Sequence, residues 1–408
     1  EVRMRLRAVM LTLMLASPAL AQDGTMTLWT RETLHSSKLN EDRSIYVATP
    51  NGYARQATKR YPILVILDAD DLPQFNLAIA NVAFLANRGT IPPLIVVGIP
   101  NGKDRTHDMT PPARENTAKD FPTAGGSAAF EDFIIDEVLP LVRSKYRALP
   151  SAILAGHSFG GLVALEVATR RPDAFNGIIA MSPSLWWNEA SLVGTYYDAL
   201  AKVSKRERVF VTSGGLEGDI DRPTVRLSQR MDSLKPTTIA FGHSRYPDDT
   251  HGLTPAPSLV DGLRFIFEPI AVARLPIAAL NPSSDSADVV RAVIESKRLY
   301  ADGARTFGLD ERLPEPQLNQ LGYGAMRMLK KPGLAIWILR QNVDLYPQSA
   351  NVYDSLGDGL LAAGDTTAAA AEYRRGIEVG TRNHDPVIGE TMLKLDALEA
   401  SRAKAKAP

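Results

Sequence analysis

The sequence predicts an α/β protein over its first two thirds, a mostly parallel sheet with helices on both faces, followed by a small all-α domain. Three observations carry this prediction. Short apolar runs, typical of buried strands, alternate with helical stretches up to about residue 267, which is the pattern of a parallel sheet. The strand signal disappears near Pro269. From residue 287 onward the chain is rich in alanine and helical in its periodicity.

Length and composition limit the classes of protein that need to be considered. The chain has 408 residues, enough for two or three domains. It is 45% hydrophobic and 23% charged, as soluble globular proteins are. Because 46 basic residues balance 46 acidic ones, no nucleic-acid partner is predicted. The absence of cysteine excludes disulfides, cysteine nucleophiles and cysteine-ligated metals.

The segment 1–21 has the layout of an export signal. It begins with three arginines at positions 3, 5 and 7, an apolar run follows at 8–16, and 19–21 (ALA) is a small-x-small cleavage site. The apolar run is shorter than the roughly 20 residues that a membrane-spanning helix needs. We therefore predict cleavage after Ala21, a periplasmic or secreted location and no stable membrane span.

Periodicity predicts the individual elements and domain limits. Predicted strands are 43–48, 61–67, 92–99, 152–154, 177–181, 208–212 and 238–241. Predicted helices are 77–88, 130–146, 162–168, 190–203, one ending near 234, and 259–267. The polar stretch 100–127 has no clear period, and loops of that length are usually functional or mobile. The predicted domains are 22–270 and 287–408, joined by a linker at 271–286.

Residues 155–161 (AGHSFGG) predict a nucleophile elbow with Ser158 at its tip. A strand precedes the motif and a helix follows it, which is the context that the elbow requires. Gly156 and Gly160 lie where a Cβ atom would clash in so sharp a turn. The N-terminus of the following helix would face negative charge developing near Ser158. Ser158 is therefore the predicted nucleophile.

A serine hydroxyl needs a general base, normally a histidine oriented by a carboxylate. In this strand-turn-helix architecture the partners follow the serine in the order acid, then histidine. Three of the six histidines follow Ser158, and because His384 lies in the helical tail, His243 and His251 remain. His251 is preferred because it lies in the loop between the last predicted strand and the last helix, whereas His243 lies at a strand end.

The acid should lie just beyond the strand 208–212. Glu217 is chosen because it comes first in the turn after two glycines, and Asp219 stays the alternative. The oxyanion hole needs two backbone N–H groups. Phe159, which follows the nucleophile, supplies one, and Ala69 or Asp70 is expected to supply the other.

Two adjacent tryptophans, Trp186 and Trp187, follow the strand next to the elbow strand. Their position predicts a pocket wall for an apolar or aromatic acyl group. The alternative, for at least one of the two, is a place in the hydrophobic core.

Four segments together resemble the esterase branch of the α/β-hydrolases, namely 156–161 (GHSFGG), 182–187 (SPSLWW), 105–111 (RTHDMTP) and His251-Gly252. That branch includes enterobactin-type ferric-siderophore esterases, esterase D-like enzymes, feruloyl esterases and mycolyltransferases. The resemblance covers about residues 25–269. It implies an α/β-hydrolase fold, with Ser158 as nucleophile, Glu217 as acid and His251 as base, and it leaves open a Ser-His pair without the acid, as in some siderophore esterases.

The helical tail carries an internal repeat. Ala335 and Leu339 recur at one common offset as Ala369 and Tyr373, and the Leu-Gly pair of 353–358 (YDSLGD) has a counterpart near residue 321. The offset and the residue types resemble the tetratricopeptide (TPR) pattern, with a plain helical bundle as the alternative. A TPR-like tail implies a protein partner.

The sequence thus predicts an exported serine ester hydrolase that acts on a small-molecule carboxylic ester without cofactor or metal. The same triad could serve a siderophore esterase for a catecholate ester, with Arg105 and Lys103 as candidate contacts to the anionic substrate. It could also serve an acyltransferase. A hypothesis of a different class is a protein-binding scaffold, in which the tail holds the partner and the hydrolase domain is dispensable.

Overall fold

A computed structural model describes residues 27–200, 202, 207–234, 239–278, 283–385 and 388–406. Its centre is an eight-stranded sheet in the order β1-β2-β4-β3-β5-β6-β7-β8. The strands are β1 (Thr30–Ser36), β2 (Glu41–Ala48), β3 (Tyr61–Leu67), β4 (Ile95–Ile99), β5 (Ala148–His157), β6 (Gly177–Met181), β7 (Arg208–Gly214) and β8 (Ala240–Tyr246). Strand β2 is antiparallel to both β1 and β4, and all other neighbours are parallel. The predicted α/β architecture is confirmed.

Helices connect the parallel strands and form the C-terminal part of the chain. In the α/β part they are α1 (Leu72–Asn87), α2 (Arg105–Met109), α3 (Glu115–Asp120), α4 (Ser127–Asp132), α5 (Leu139–Lys145), α6 (Phe159–Arg170), α7 (Trp187–Ala190), α8 (Leu192–Leu200), α9 (Asp221–Leu234), α10 (Pro255–Ile266), α11 (Glu268–Ala271) and α12 (Leu275–Ala278). The later ones are α13 (Ser286–Thr306), α14 (Glu315–Arg327), α15 (Pro332–Leu345), α16 (Ala350–Ala362), α17 (Thr366–Asn383) and α18 (Ile388–Lys406). None of the helices in these described ranges is long and apolar enough to cross a membrane.

Most predicted elements lie where the periodicity placed them. Strands β3 and β6 have the predicted limits, and β5 and β8 extend beyond them. The stretch 100–127 differs, because it contains the short helices α2 and α3. Buried Arg43 on β2 ties this stretch down through an ion pair with Asp108. The predicted signal 1–21 lies outside the described residues.

Successive side chains of the central strands pack alternately into two hydrophobic cores, one on each face of the sheet. Ile63, Val65 and Leu67 on β3 point into the core beneath α5, α6 and α8, whereas Leu64 and Ile66 point into the core beneath α1 and α10. Every residue of β3 is buried, as expected for a parallel strand covered on both faces. The sheet is therefore a rigid platform whose carboxyl-terminal edge carries the loops described below.

The helical segment is built from two equivalent hairpins, α14–α15 and α16–α17. Helices α15 and α17 start at Pro332 and Thr366, which is the offset that the sequence repeat predicts. In each hairpin a glycine of the first helix accommodates a large side chain of the second, Gly322 against Leu339 and Gly357 against Tyr373. The helical domain is present as predicted, while its assignment to the TPR class stays a prediction.

The helical segment packs tightly onto the α/β part. The ring of Phe267 packs against that of Phe307 at a tilt of 43°, with 4.7 Å between ring centroids, and both belong to a hydrophobic core that continues from the sheet. Gly303 of α13 lies so close to Pro269 that a Cβ atom there would come within 2.2 Å of the proline carbonyl oxygen. The first part of the predicted linker 271–286 is helical, with Ala273 buried, so it is not a free linker. Residues 279–282 lie outside the described residues.

A buried carboxyl beneath α6 gives a first prediction. Burial, reinforced by the nearby Glu166, raises the pKa of Glu131 to about 8, although Arg170 lies 3.3 Å away. Because the pKa of Glu131 is higher in the folded chain than in the unfolded chain, its protonated form contributes to the stability of the fold. This contribution is fully present below the unfolded pKa of 4.5 and is lost as pH rises toward 8. We expect Glu131→Gln to gain stability over the parent between pH 5 and 8, by up to about 1.4 kcal/mol per pH unit.

Urea unfolding at pH 5, 6, 7 and 8 measures this gain. Asp132→Asn is the matched control, because the neighbouring side chain is 40% exposed. A difference between Glu131→Gln and the parent that does not change with pH would contradict the prediction.

Candidate active site

Ser158 occupies a sharp turn between β5 and α6. Its backbone has φ 59° and ψ −116°, a strained conformation for a residue with a side chain. The Ser158 N–H donates to the Met181 carbonyl at 3.0 Å, which fixes the turn against β6. A Cβ atom on Gly156 would lie 2.2 Å from the Gly160 carbonyl oxygen, so glycine is required there. The local backbone is the strand-turn-helix bend that the motif predicts.

His251 and Glu217 lie side by side at the same edge of the sheet, after β8 and β7. Nδ1 of His251 is 3.4 Å from Oε2 of Glu217. The Glu217 side chain is fully buried, while the His251 side chain is 29% exposed. Oε1 of Glu217 accepts hydrogen bonds from the Ser182 hydroxyl at 2.5 Å and from the Gly214 N–H at 2.8 Å. Oε1 of the carboxylate is thus fixed by two hydrogen bonds, and Oε2 faces the imidazole.

The environment of Glu217 favours its charged form. Burial by itself would raise the pKa of Glu217, but the His251 ring and the two hydrogen bonds from Ser182 and Gly214 together hold that pKa below its ordinary value. The carboxylate therefore stays ionised, as is needed to orient an imidazole and stabilise its protonated form.

The alternative acid and the alternative base lie elsewhere. The Asp219 side chain is 86% exposed and pairs with Arg222 at 3.0 Å. His243 lies within β8, and its Nε2 is 2.8 Å from Asp232 on α9. Of the candidates that the sequence left open, the structure brings Glu217 and His251 together.

The nucleophile hydroxyl contacts a second serine. Oγ of Ser158 lies 3.2 Å from Oγ of Ser184, which is fully buried. Among the hydrogen bonds of the described residues, none joins Ser158 Oγ to the His251 ring. Catalytic hydrogen bonds are often long or poorly aligned before substrate binds, so this geometry is compatible with His251 as the base.

His157, next to the nucleophile, supports the histidine loop. The Nε2–H of His157 donates to the His251 carbonyl at 2.9 Å, and the two rings lie 4.4 Å apart. Burial, together with the adjacent His251, lowers the pKa of His157 to about 4. His157 is therefore neutral near pH 7 and places no positive charge beside His251.

The two alternatives for the second oxyanion donor differ in availability. The Ala69 N–H donates to the Ile99 carbonyl at 3.1 Å, so the prediction is wrong for Ala69. Among the described residues, the N–H groups of Asp70 and of Phe159, at the start of α6, donate to no protein acceptor. Asp70 is thus the candidate that remains beside Phe159.

Arg105 is held beside the nucleophile turn by an aspartate. Its Nε and a terminal nitrogen donate to the two carboxylate oxygens of Asp68 at 2.5 and 2.9 Å. The guanidinium also lies 5.2 Å from the centre of the Phe159 ring. Arg105 therefore lies next to the nucleophile turn, as predicted for a substrate contact, but Asp68 already neutralises its charge.

An aromatic cluster surrounds the elbow. Phe121, Phe159, Trp186 and Trp187 lie with ring centroids 5.1–6.0 Å apart. Trp187 is fully buried, so the prediction that it lines the pocket is wrong, and its place is in the core. Trp186 is half-buried and keeps a surface toward a cavity.

That cavity has a volume of about 810 Å³. Its walls include Trp186, the left-handed turn of α7 and the start of α9, and the lining residues are Trp186, Glu189, Ala190, Asp219, Asp221, Arg222, Pro223, Val225, Arg226 and Arg245. Arg245 pairs with Asp221 at 2.8 Å. Arg226 forms no ion pair within the part of the chain that the structure describes. The cavity thus offers an aromatic face and an available guanidinium.

Several polar residues of the site were missed by sequence reasoning. Ser182 and Ser184 contact the acid and the nucleophile, Asp68 holds Arg105, and His157 holds the histidine loop. Both serines belong to the segment 182–187 (SPSLWW), in which only the tryptophans were predicted to contact substrate. Their partners lie 26 and 35 residues away along the chain, so no local pattern reveals these contacts.

A sheet of this order, with a serine elbow after β5 and a histidine beside a buried carboxylate, defines an α/β-hydrolase. Residues 36–237 match the model of the family described as "Putative esterase". This segment of the chain belongs to the esterase branch of the α/β-hydrolase superfamily.

Relatives and solved structures agree with this placement. The chain is 32% identical over 163 residues to the siderophore triacetylfusarinine C esterase of Aspergillus fumigatus, an alignment that covers 36% of this chain and 53% of that protein. It is 26% identical over 258 residues to the ferri-bacillibactin esterase BesA of Bacillus subtilis, with 57% and 88% covered. An IroE-like serine hydrolase from Shewanella oneidensis superposes with a TM-score of 0.60 at 26% identity, covering 75% of this chain and 98% of that one.

Proposed function

We propose that this protein is a serine esterase that hydrolyses a carboxylic ester through Ser158, His251 and Glu217. The observation that carries the proposal is the His251 imidazole placed 3.4 Å from a buried, hydrogen-bonded carboxylate, beside a strained serine elbow. Membership of the esterase branch supports ester hydrolysis as the reaction. We also propose that the protein is exported, on the basis of the signal pattern in the segment 1–21.

In the proposed reaction Ser158 Oγ attacks the ester carbonyl carbon while His251 Nε2 takes its proton. Glu217 holds Nδ1–H, so that Nε2 is the nitrogen free to accept. The N–H groups of Phe159 and Asp70 would bind the oxyanion. The tetrahedral intermediate collapses to an acyl-enzyme, and the alcohol leaves with the proton from His251. Water, activated by His251, then releases the carboxylic acid and restores Ser158.

Hydrolysis of p-nitrophenyl esters of increasing acyl length tests the activity directly. We expect turnover, together with a single adduct on Ser158 after treatment with an organophosphonate, located by intact mass and peptide mapping. Failure of both turnover and labelling in the folded chain would refute the esterase and favour the partner-binding scaffold.

Trp186 is expected to set the preference for the acyl group. Because its half-buried indole borders the cavity and lies 6.0 Å from the ring of Phe159, the residue after the nucleophile, Trp186→Ala should raise KM for long or aromatic acyl esters about tenfold and leave acetyl esters within about twofold. Trp337→Ala, a tryptophan of α15 that is 36% exposed, is the control. An equal change for short and long acyl groups would contradict this role.

A siderophore ester is a second candidate substrate. The esterases of Aspergillus fumigatus and Bacillus subtilis described above are named for siderophores, and Arg226 leaves a guanidinium available in the cavity for an anionic ligand. Hydrolysis of a ferric catecholate trilactone, followed by chromatography of its products, tests this candidate. If it is the substrate, Arg226→Ala should raise KM for the ferric complex while KM for p-nitrophenyl acetate stays unchanged.

A further inference from the structure

The turn after β6, residues 182–184 (Ser-Pro-Ser), touches both ends of the proposed triad. The Ser182 hydroxyl donates to the Glu217 carboxylate at 2.5 Å, and the Ser184 hydroxyl lies 3.2 Å from the Ser158 hydroxyl. Ser182 and Ser184 are both fully buried. We propose that this turn, the Ser-Pro-Ser clamp, fixes the geometry of the triad, with Ser184 as a further catalytic residue and Ser182 as a positioning residue that acts through Glu217. The inference rests on the proposed function.

Backbone hydrogen bonds hold the clamp rigidly against its neighbours. The Ser182 N–H donates to the Thr212 carbonyl at 3.0 Å, and the Ser184 N–H donates to the Ser158 carbonyl at 3.0 Å. Ser182 has φ 42°, a left-handed conformation that disfavours a residue with a side chain. Such strain persists where the surrounding contacts over-determine the backbone, and here those contacts lead to the acid and the nucleophile.

Close packing explains why the clamp lies so near the elbow. A Cβ atom on Gly161, in the first turn of α6, would come within 3.0 Å of Pro183 Cα. Glycine at 161 therefore lets the clamp approach α6 closely, and this approach leaves Ser184 in contact with Ser158. Gly161, which follows the two glycines of the turn itself, thus serves the clamp.

The hydroxyl of Ser182 also links the acid to the histidine loop. Thr254 Oγ1 lies 2.9 Å from Ser182 Oγ and 2.9 Å from the His251 carbonyl oxygen. The Ser182 hydroxyl donates its one proton to Glu217. The Thr254 hydroxyl, which also has one proton, can therefore donate either to Ser182 Oγ or to the His251 carbonyl. A chain of contacts therefore runs from Glu217 through Ser182 and Thr254 to the backbone of His251.

Ser184 acts at the reacting atom itself. When Ser184 donates to Ser158 Oγ, the single Ser158 proton is left free to point at His251 Nε2. The same hydrogen bond stabilises negative charge as it develops on Oγ during proton transfer. A buried hydroxyl costs little reorganisation, because the backbone bond to the Ser158 carbonyl already sets its position.

The test compares Ser182→Ala and Ser184→Ala with the parent chain. We expect kcat for a p-nitrophenyl ester to fall on the order of 10- to 100-fold for Ser182→Ala and about tenfold for Ser184→Ala, with KM within about twofold. Phosphonate labelling of Ser158 should slow by similar factors. The matched control is Ser151→Ala, a buried serine near the start of β5 whose hydroxyl has no hydrogen-bond partner within the described chain.

A double-mutant cycle separates positioning from a general structural effect. If Ser182 acts through Glu217, adding Ser182→Ala to Glu217→Ala should lower kcat by less than about twofold. Ser182→Gly is the companion variant if Ser182→Ala does not fold, because glycine accepts the positive φ without strain. It should lose the same activity as Ser182→Ala.

Two kinds of failure can be told apart. If the parent chain hydrolyses esters and takes a phosphonate on Ser158, while folded clamp variants keep kcat within twofold, the clamp is refuted and the esterase stands. An undiminished effect of Ser182→Ala in the Glu217→Ala background also refutes the positioning role. If the parent shows neither turnover nor labelling, the proposed function falls and this inference falls with it.

Discussion

Ser158→Ala is expected to lower kcat for ester hydrolysis by about 10³-fold or more and to abolish phosphonate labelling. The reason is that the acyl-enzyme cannot form without Oγ. The remaining reaction is direct attack of water on an ester bound at the oxyanion site. Circular dichroism and thermal unfolding should show an unchanged fold, because the substitution removes one atom from a half-buried side chain. Wild-type turnover in Ser158→Ala would refute the nucleophile.

A second variant at the same position separates activity from stability. Ser158 holds φ 59° and ψ −116°, which glycine adopts without strain. Ser158→Gly should therefore be as inactive as Ser158→Ala and yet about 1 kcal/mol more stable than it in urea unfolding. Equal stabilities of the two variants would show that the elbow backbone stores little strain.

Glu217→Gln is the second change with a large expected effect, a fall of roughly 10²- to 10⁴-fold in kcat. A neutral amide neither fixes the protonated Nδ1 tautomer of His251 nor stabilises the imidazolium that forms during acylation. Asp219→Asn is the matched control, because its exposed side chain pairs with Arg222 outside the site. We expect Asp219→Asn to keep kcat within about twofold. A loss confined to Asp219→Asn would reverse the assignment of the acid, and full activity in both variants would favour a Ser-His pair.

The pH dependence of stability offers an independent check on Glu217. Its pKa is lower in the folded chain than in the unfolded one, so its contribution is fully present above the unfolded value of 4.5 and is lost as pH falls through the folded pKa. On acidification below pH 4.5 the parent should therefore lose more unfolding free energy than Glu217→Gln. Parallel losses in the two proteins would show that the carboxylate gains nothing from its partners.

Local sequence determined much of the fold and the core of the candidate site. The sequences of buried parallel strands such as β3 and β6 are continuous apolar runs, because both faces of these strands are covered. The elbow is a local structure, because steric limits within one short turn determine where its glycines and its serine must lie. His251 could be chosen because chain order leaves few histidines after Ser158. These features depend on short range or on order along the chain, and both are visible in one sequence.

Tertiary structure decided what depends on packing between distant segments. Which tryptophan faces the cavity followed from how α7 packs, which buried Trp187 and left Trp186 at the surface. The preference for Glu217 over Asp219 follows from which carboxylate the β7–α9 turn directs toward His251. Ala69 was excluded because the Ile99 carbonyl of β4 accepts its N–H, and the first part of the predicted linker 271–286 is helical and packs against α13. Burial and hydrogen-bond partners are properties of three-dimensional neighbours, and residues far apart in sequence carry no local signal that they will meet.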